Sequence, residues 1–328
     1  MSNSFLPPAL HVVAGVLCDS EGRVLLTQRP PGRDMAGLWE FPGGKLEPGE
    51  SAASALQREL REELGIEVGS GEFLIAVPQA MPHKRIMLEV HCIKQWQGQI
   101  RGLEGQAFEW VLPEHLRQYP MPPADRPVVA ALLQADCCLV TPSPDSMCDS
   151  EWLAGVKAAL AAGVGRIQLR APDCNPDRWR ALVAEAVALA SGSAVLMSVN
   201  GEPELALQHH IGLHLPERML RACMARDFPD ALELSASCHD EHALRHAEAI
   251  GCDYAIVGQL KPSPTHPGVP GIGWPGFSRL REVTSLPMYA IGGLNQRDLA
   301  QARRYGAQGI AAIRAFWPQC GRLSVPCL

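Results

Sequence analysis

The 328-residue chain has no cysteine pair at C-x-x-C spacing, no apolar run long enough to span a bilayer and no basic half. Each absence excludes something. Eleven cysteines, odd in number and without the close pairing of a zinc or redox motif, read as free thiols in a reducing compartment. Without a membrane-length run there is no candidate transmembrane helix. The opening "MSNSFLPPALHVV" lacks the charged start and apolar core of a signal peptide. A soluble, cytoplasmic protein with no membrane partner is expected. Residues 1–135 carry 12 Lys+Arg against 16 Asp+Glu, and the remainder 17 against 19. Neither part offers the basic face of a nucleic-acid binder. A single nucleotide held through metal ions fits that balance.

The rhythm of the chain changes near Ala135, with no Gly/Ser linker at the change. Before it, "HVVAGVLCD" and "RVLLTQR" flank a turn at "SEG", and "FLIAVPQ", "IMLEVHCIKQW" and "FEWVL" read as further strands. After it, eight short apolar runs, from "CCLVT" at 137–141 to "QGIAAIR" at 308–314, alternate with helical patterns. Eight such repeats in 193 residues predict a (β/α)8 barrel.

The densest chemistry lies in "GGKLEPGESAASALQRELREELGI", residues 43–66. Ser51 is a candidate N-cap, Ala52 to Leu64 runs without Gly or Pro, and Gly65 is a natural stop. Ala53, Leu56, Leu60 and Leu64 form the expected apolar stripe. Glu59, Glu62 and Glu63 stand at i, i+3 and i+4 and share a neighbourhood. Glu63 projects near Leu56 and Leu60, so it needs a partner or its pKa rises. Arg58 and Arg61 are expected mostly on the other face. A divalent cation is the simplest partner, magnesium being a hard ion that takes oxygen ligands and is shared with phosphates. A surface helix laced by local ion pairs is the plain alternative.

The whole pattern, Gly44, five residues, Glu50, seven residues, then "RELREELGI", resembles the Nudix hydrolase box at every defining position. The resemblance implies hydrolysis of a nucleoside diphosphate linked to a further group. It makes Glu59, Glu62, Glu63 and Gly43 candidate magnesium ligands, with manganese as the alternative ion. Arg58 would orient a glutamate, and Glu50 joins the catalytic set. Gly43-Gly44 would let backbone approach the site. "LWEFPGGKLEPGE", "LEGQAFEW" and "PPADRPVVAAL" resemble the MutT-type branch, the 8-oxo-dGTP diphosphatases. On that likeness Glu104 adds a carboxylate beside the metal, Arg29 contacts the phosphates, and Phe41 and Asp125 frame the base. MutT enzymes carry Asn where this chain has Asp125. A carboxylate only accepts unless protonated, so Asp125 pairs with the base, caps the following helix, or does both.

Residues 137–317 resemble thiamine-phosphate synthase and TenI, through "IQLR", "GLHL", "LSASCHDEHAL", "GCDYAIVGQLKPSPT" and "PMYAIGGL". Together the two likenesses imply an α/β chain: an N-terminal Nudix α/β/α sandwich over residues 1–135, then a C-terminal (β/α)8 TIM-type barrel over 136–328. Strand ends there carry Arg170, Asn200, His214, Ser237, His239, Gly258, Gly292-Gly293 and Arg314. Arg170, Gly292, Gly293 and Arg314 form a candidate phosphate site for a phosphorylated ligand. The departures from the synthase pattern matter more. "QLRAP" lacks its lysine, and Gly201 and "HLPERML" lack its two magnesium aspartates. His266 replaces the lysine of its phosphate loop, and Gln259 replaces TenI's histidine. Ordinary synthase activity is therefore not expected. Two other readings stay open for the first part: hydrolysis of thiamine-type diphosphates, and recognition of an oxidised base without catalysis.

Overall fold

A computed structural model describes residues 9–81, 83–262 and 270–317. The phosphate-loop position His266 lies outside the described residues. The chain divides into two units, each taken here by itself. One is built on residues up to Gln134 with the segments Arg281–Ser285 and Arg303–Gly306, and the other on the rest from Ala135.

In the first unit the strands are β1 (Leu10–Leu17), β2 (Val24–Gln28), β3 (Trp39–Glu40) and β4 (Gly43–Lys45), then β5 (Glu67–Val68), β6 (Glu72–Met81), β7 (Lys84–Ile93), β8 (Trp96–Gln97) and β9 (Phe108–Val111). The helices are α1 (Ala52–Leu64) and α2 (Arg126–Leu133). A four-stranded sheet runs β4-β1-β7-β6, with β1 and β7 parallel and the outer pairs antiparallel. A smaller antiparallel sheet runs β3-β2-β9.

The alternation along β1 explains the layering. Val13 and Leu17 join Leu56, Leu60 and Leu64 of α1 in one core. Ala14 and Val16 join Val77, Val90 and Val128 in a second. A period of two sends alternate side chains to opposite faces, so both faces of β1 are buried, one under each helix. At Gly15 a Cβ would sit 3.3 Å from Leu60 Cδ1, which sets how closely α1 lies on the strand. Ala55, and not the expected Ala53, completes the buried stripe of α1. The stripe follows the 3.6-residue turn, and Ala55 is adjacent to Leu56 on the face turned to the sheet. Ser51 Oγ accepts the Ser54 N–H at 3.1 Å, and Gly65 ends the helix at φ +70°.

The second unit closes eight parallel strands into a barrel in chain order: β10 (Cys137–Val140), β11 (Arg166–Leu169), β12 (Leu196–Asn200), β13 (Gly212–Leu215), β14 (Leu234–Cys238), β15 (Tyr254–Val257), β16 (Met288–Ile291) and β17 (Gly309–Ala312). Its interior packs Cys138, Val140, Tyr254, Ile256, Tyr289 and Ala311. Below them Arg166 is buried, paired with Glu233 and stacked over the Tyr254 ring at 4.3 Å. No helix among the described residues is long and apolar enough to cross a membrane.

Candidate active site

The site is assembled where β4 passes the middle of α1. Gly43 adopts φ +149°, and a Cβ there would fall 2.1 Å from the Val13 carbonyl oxygen of the paired strand. At Gly44 a Cβ would fall 2.2 Å from the Glu59 carboxyl carbon. The second glycine is therefore required by the acid itself, which occupies the space a side chain would fill. Gly43 N–H donates to Glu63 Oε2 at 3.2 Å, fixing the other acid to the same turn of backbone.

Arg58 faces these acids, contrary to the expectation that it lies toward the other face. One edge of its guanidinium grips Glu50, with Nε to Oε1 at 3.1 Å and Nη2 to Oε2 at 2.9 Å. Nη1 reaches Glu59 at 2.9 Å and Glu62 at 3.3 Å, and Nη2 also donates to the Lys45 carbonyl. A long side chain can swing across its own helix face, and three carboxylates outweigh the intrinsic direction of its Cβ. Arg61 does project away, pairing with Glu67. Glu50 sits on the opposite edge of the guanidinium from Glu59, so its part is to anchor Arg58, and the Glu47 N–H holds it in turn at 3.0 Å.

Glu63 is the most perturbed acid of the group. Its carboxyl is pushed up to about 8, by burial first and then by Glu40, Glu59 and Glu104, with the Gly43 N–H partly offsetting them. Glu104 arrives on a loop docked against the end of α1. Leu103 N–H and Gln106 Nε2 both donate to the Glu63 carbonyl at 2.9 Å, and Gln106 Oε1 accepts the Glu104 N–H. Gln106 and Glu40 have no assigned role in the sequence reading. Glu40 lies between Trp39 and the buried Phe41, pairs with Arg29, and has its pKa raised by burial despite that arginine. A lone carboxylate between two aromatics in a strand is the signal that could have singled it out.

Asp125 is 6% exposed, and its Oδ1 accepts the Phe41 N–H at 3.4 Å. Burial, then Glu40, drives its carboxyl up to about 8. It precedes α2 but its side chain makes no capping bond there, so the capping role does not apply. Phe41 has its ring in the core, 3% exposed, and presents its backbone N–H to the site in place of an open ring face.

Among the described residues no three His, Cys, Asp or Glu side chains stand together as a ready-made metal cage. The donor set nevertheless fits a divalent cation. It consists of carboxylate oxygens that repel one another, and Arg58 offsets only part of their charge. Glu59, Glu62, Glu63, Glu104 and the Gly43 carbonyl are the groups that could hold such an ion.

In the barrel, His214 is 1% exposed, with Nδ1 to Ser235 Oγ at 2.9 Å and Nε2 to Ser237 Oγ at 2.8 Å. Burial, with Arg170 nearby, pulls its pKa down to about 3, so it is neutral and satisfied. His239 Nδ1 meets the Gly258 carbonyl at 2.7 Å. Asn200 donates to Gln168. Arg170 holds Thr141 through its backbone. At Gly292 (φ +115°) a Cβ would lie 2.6 Å from Leu260 N, and at Gly293 (φ +66°) 3.1 Å from Lys261 Cβ. These glycines admit the neighbouring chain segment. Lys261, absent from the sequence reading, pairs with Asp298 there at 2.9 Å. Arg314 is exposed after β17.

Two family models match the chain: the NUDIX domain over residues 13–131 and thiamine monophosphate synthase over residues 137–316. A CTP pyrophosphohydrolase of Escherichia coli (strain K12) is 44% identical over 124 residues, covering 38% of this chain and 91% of that one. An 8-oxo-dGTP diphosphatase of Proteus vulgaris is 42% identical over 96 residues, 29% of this chain and 86% of that one. A thiamine-phosphate synthase of Prochlorococcus marinus (strain MIT 9303) is 32% identical over 181 residues. That alignment spans 55% of this chain and about half, 51%, of the synthase.

Proposed function

Because the chain belongs to the Nudix hydrolases over residues 13–131 and to the thiamine monophosphate synthase family over residues 137–316, we propose that its first unit is a magnesium-dependent pyrophosphohydrolase. It cleaves an oxidised purine nucleoside triphosphate, 8-oxo-dGTP, to the monophosphate and pyrophosphate. The observation that carries the reading is Glu63, a half-buried acid with three others bearing on it, on the edge of a hydrophobic stripe. Such a group is costly to ionise there without a cation. When bound, the divalent ion neutralises phosphate charge and lowers the pKa of a water. The chain's own residues do the rest. Arg58, anchored by Glu50, aims the Glu59 carboxylate. Glu59 or a neighbouring carboxylate accepts the proton of the attacking water. Arg29 meets the phosphate chain. The setting is cytoplasmic, in keeping with the nine free thiols among the described residues.

Asp125 supports this base and admits a second. With its pKa near 8 it is a neutral carboxylic acid at pH 7, offering one donor and one acceptor on one edge. That edge matches the N7–H and O6 of an 8-oxoguanine. It matches equally the N3 and amino group of cytosine, and the relative at 44% identity bears the name CTP pyrophosphohydrolase. Parallel kcat/KM values for 8-oxo-dGTP, dGTP, CTP and thiamine diphosphate separate these substrates. Pyrophosphate release in magnesium, lost in EDTA and in Glu63→Gln, tests the hydrolase itself. A fully active Glu63→Gln protein would sink it.

The barrel, in this reading, does not make thiamine phosphate. It lacks the synthase's metal aspartates at Gly201 and in "HLPERML", and its buried histidine is occupied by two serines. Formation of thiamine phosphate from the synthase's two phosphorylated substrates at an ordinary rate would overturn this.

A further inference from the structure

Arg33 sits at the tip of the loop between β2 and β3, and nothing in the hydrolase reading requires it. Its Nη2 donates to Glu104 Oε2 at 2.9 Å, across 71 residues of sequence. The loop beneath has a set course. Arg33 N–H closes a turn on the Pro30 carbonyl, Gly37 N–H returns to the Arg29 carbonyl at 2.9 Å, and Arg29 Nε donates to the Asp34 carbonyl at 2.6 Å. Lys84 pairs with Asp34 at 2.6 Å on the outer side. The guanidinium is thus held on Glu104, while the carboxylate bonds of Arg58 go to Glu50, Glu59 and Glu62. Arg33 also draws on Glu40, and Glu40 and Glu104 are two of the carboxylates bearing on Glu63. Two arginines therefore divide the cluster: Arg58 serves the acids of α1, and Arg33 serves one that comes from another element.

The Arg33 pair is open to solvent, with side chains 62% and 41% exposed. An exposed pair of this kind shifts an equilibrium by about fivefold at most. A triphosphate offers the same guanidinium a stronger, forked partner. We infer that Arg33 is a positioning residue for the phosphate chain, holding Glu104 while the acids lack their divalent cation and exchanging that carboxylate for a phosphate oxygen when cation and nucleotide enter. The inference rests on the hydrolase reading. It makes Arg33 an obstacle to the metal alone and an aid to the nucleotide, two effects of opposite sign.

Two binding measurements on the full chain test this. One is Mn²⁺ alone, followed by electron paramagnetic resonance. The other is the α,β-imido analogue of dGTP in magnesium, followed by calorimetry. Arg33→Ala is expected to bind Mn²⁺ about two- to fivefold more tightly and the analogue roughly tenfold more weakly, while Arg33→Lys, a point charge without the fork, recovers only part of the analogue affinity. A misfolded variant would weaken both. If Arg33→Ala leaves both affinities within about twofold of wild type, or moves them in the same direction, the exchange is refuted and the hydrolase reading stands. If the wild-type protein binds neither probe, the hydrolase reading fails and Arg33's role falls with it.

Discussion

Removing one charge at Glu63 should abolish turnover and make the metal-free protein more stable. In the folded state the carboxyl titrates near 8, against an ordinary value of 4.5. A carboxyl that is harder to ionise folded than unfolded favours the folded state only while it keeps its proton. Its contribution is fully present below about 4.5, declines as pH rises, and is gone above about 8. At roughly 1.4 kcal/mol per factor of ten in proton affinity, the gap corresponds to about 3 kcal/mol at pH 7 and 4–5 kcal/mol at high pH. Neighbouring acids relax and water enters, so about 1–3 kcal/mol is the realistic size. Glu63→Gln keeps an oxygen for the Gly43 N–H and sheds the charge. For a unit of this size about 4 °C accompanies each kcal/mol. The apparent Tm of the variant should therefore exceed wild type by about 4–12 °C in EDTA at pH 8, and the difference should shrink toward pH 5. Magnesium should raise the wild-type Tm and leave the variant nearly unchanged. Thermal unfolding at four pH values, with and without magnesium, measures all of this. A Glu63→Gln protein less stable than wild type in EDTA at pH 8 would show that the acid is stabilised by its surroundings, and the case for a cation-binding role would be lost.

Asp125 predicts the alkaline side of the activity profile. Its neutral form does the pairing, so kcat/KM for the preferred base should fall as pH rises through about 8, and Asp125→Asn should flatten that limb. A limb that survives in Asp125→Asn would assign it to another group. Gly44→Ala places a methyl 2.2 Å from the Glu59 carboxyl carbon, and a loss of about a hundredfold in kcat is expected with the fold retained, as circular dichroism would report. In the barrel, Glu233→Ala leaves Arg166 buried and without its carboxylate; about 3–5 kcal/mol of stability should be lost, visible as a lower denaturant midpoint.

The elements that sequence pattern reveals are those set by period and by caps. The helix from Ala52 to Leu64 shows its start at Ser51 and its end at Gly65 because both are local chemistry. The eight barrel strands show as apolar runs because parallel strands are buried on both faces. The parts that stay hidden depend on contacts distant in sequence. Gln106 matters through a carbonyl 43 residues away. Glu40 matters through burial beside Glu63 and Asp125, which no spacing encodes. Gly44 reads from the sequence as a close-approach glycine of the box, but that the Glu59 carboxyl fills its side-chain volume shows only in three dimensions. Arg58 misleads a helical wheel, because its Cβ direction says less than the three carboxylates within reach of its long side chain.

The barrel shows which contacts hold a fold independently of the chemistry at its mouth. What closes it lies away from the strand ends: the interior packing of Val140, Ile256 and Ala311, and the buried Arg166 with its carboxylate and tyrosine ring. Substitutions at the mouth change charges that repel or need ions, and leave that packing untouched. The residues that remain at the mouth have found protein partners instead. His214 is shared by two serines, Asn200 binds Gln168, and Lys261 binds Asp298. In the first unit Arg58 relieves Glu59 and Glu62, whereas Glu63 is held against burial first and neighbouring acids second. A polar group satisfied within the protein contributes to the fold, whereas one held against its own electrostatics requires a ligand to justify its position. By that criterion Glu63 is the position in the Nudix unit that points to a bound ligand.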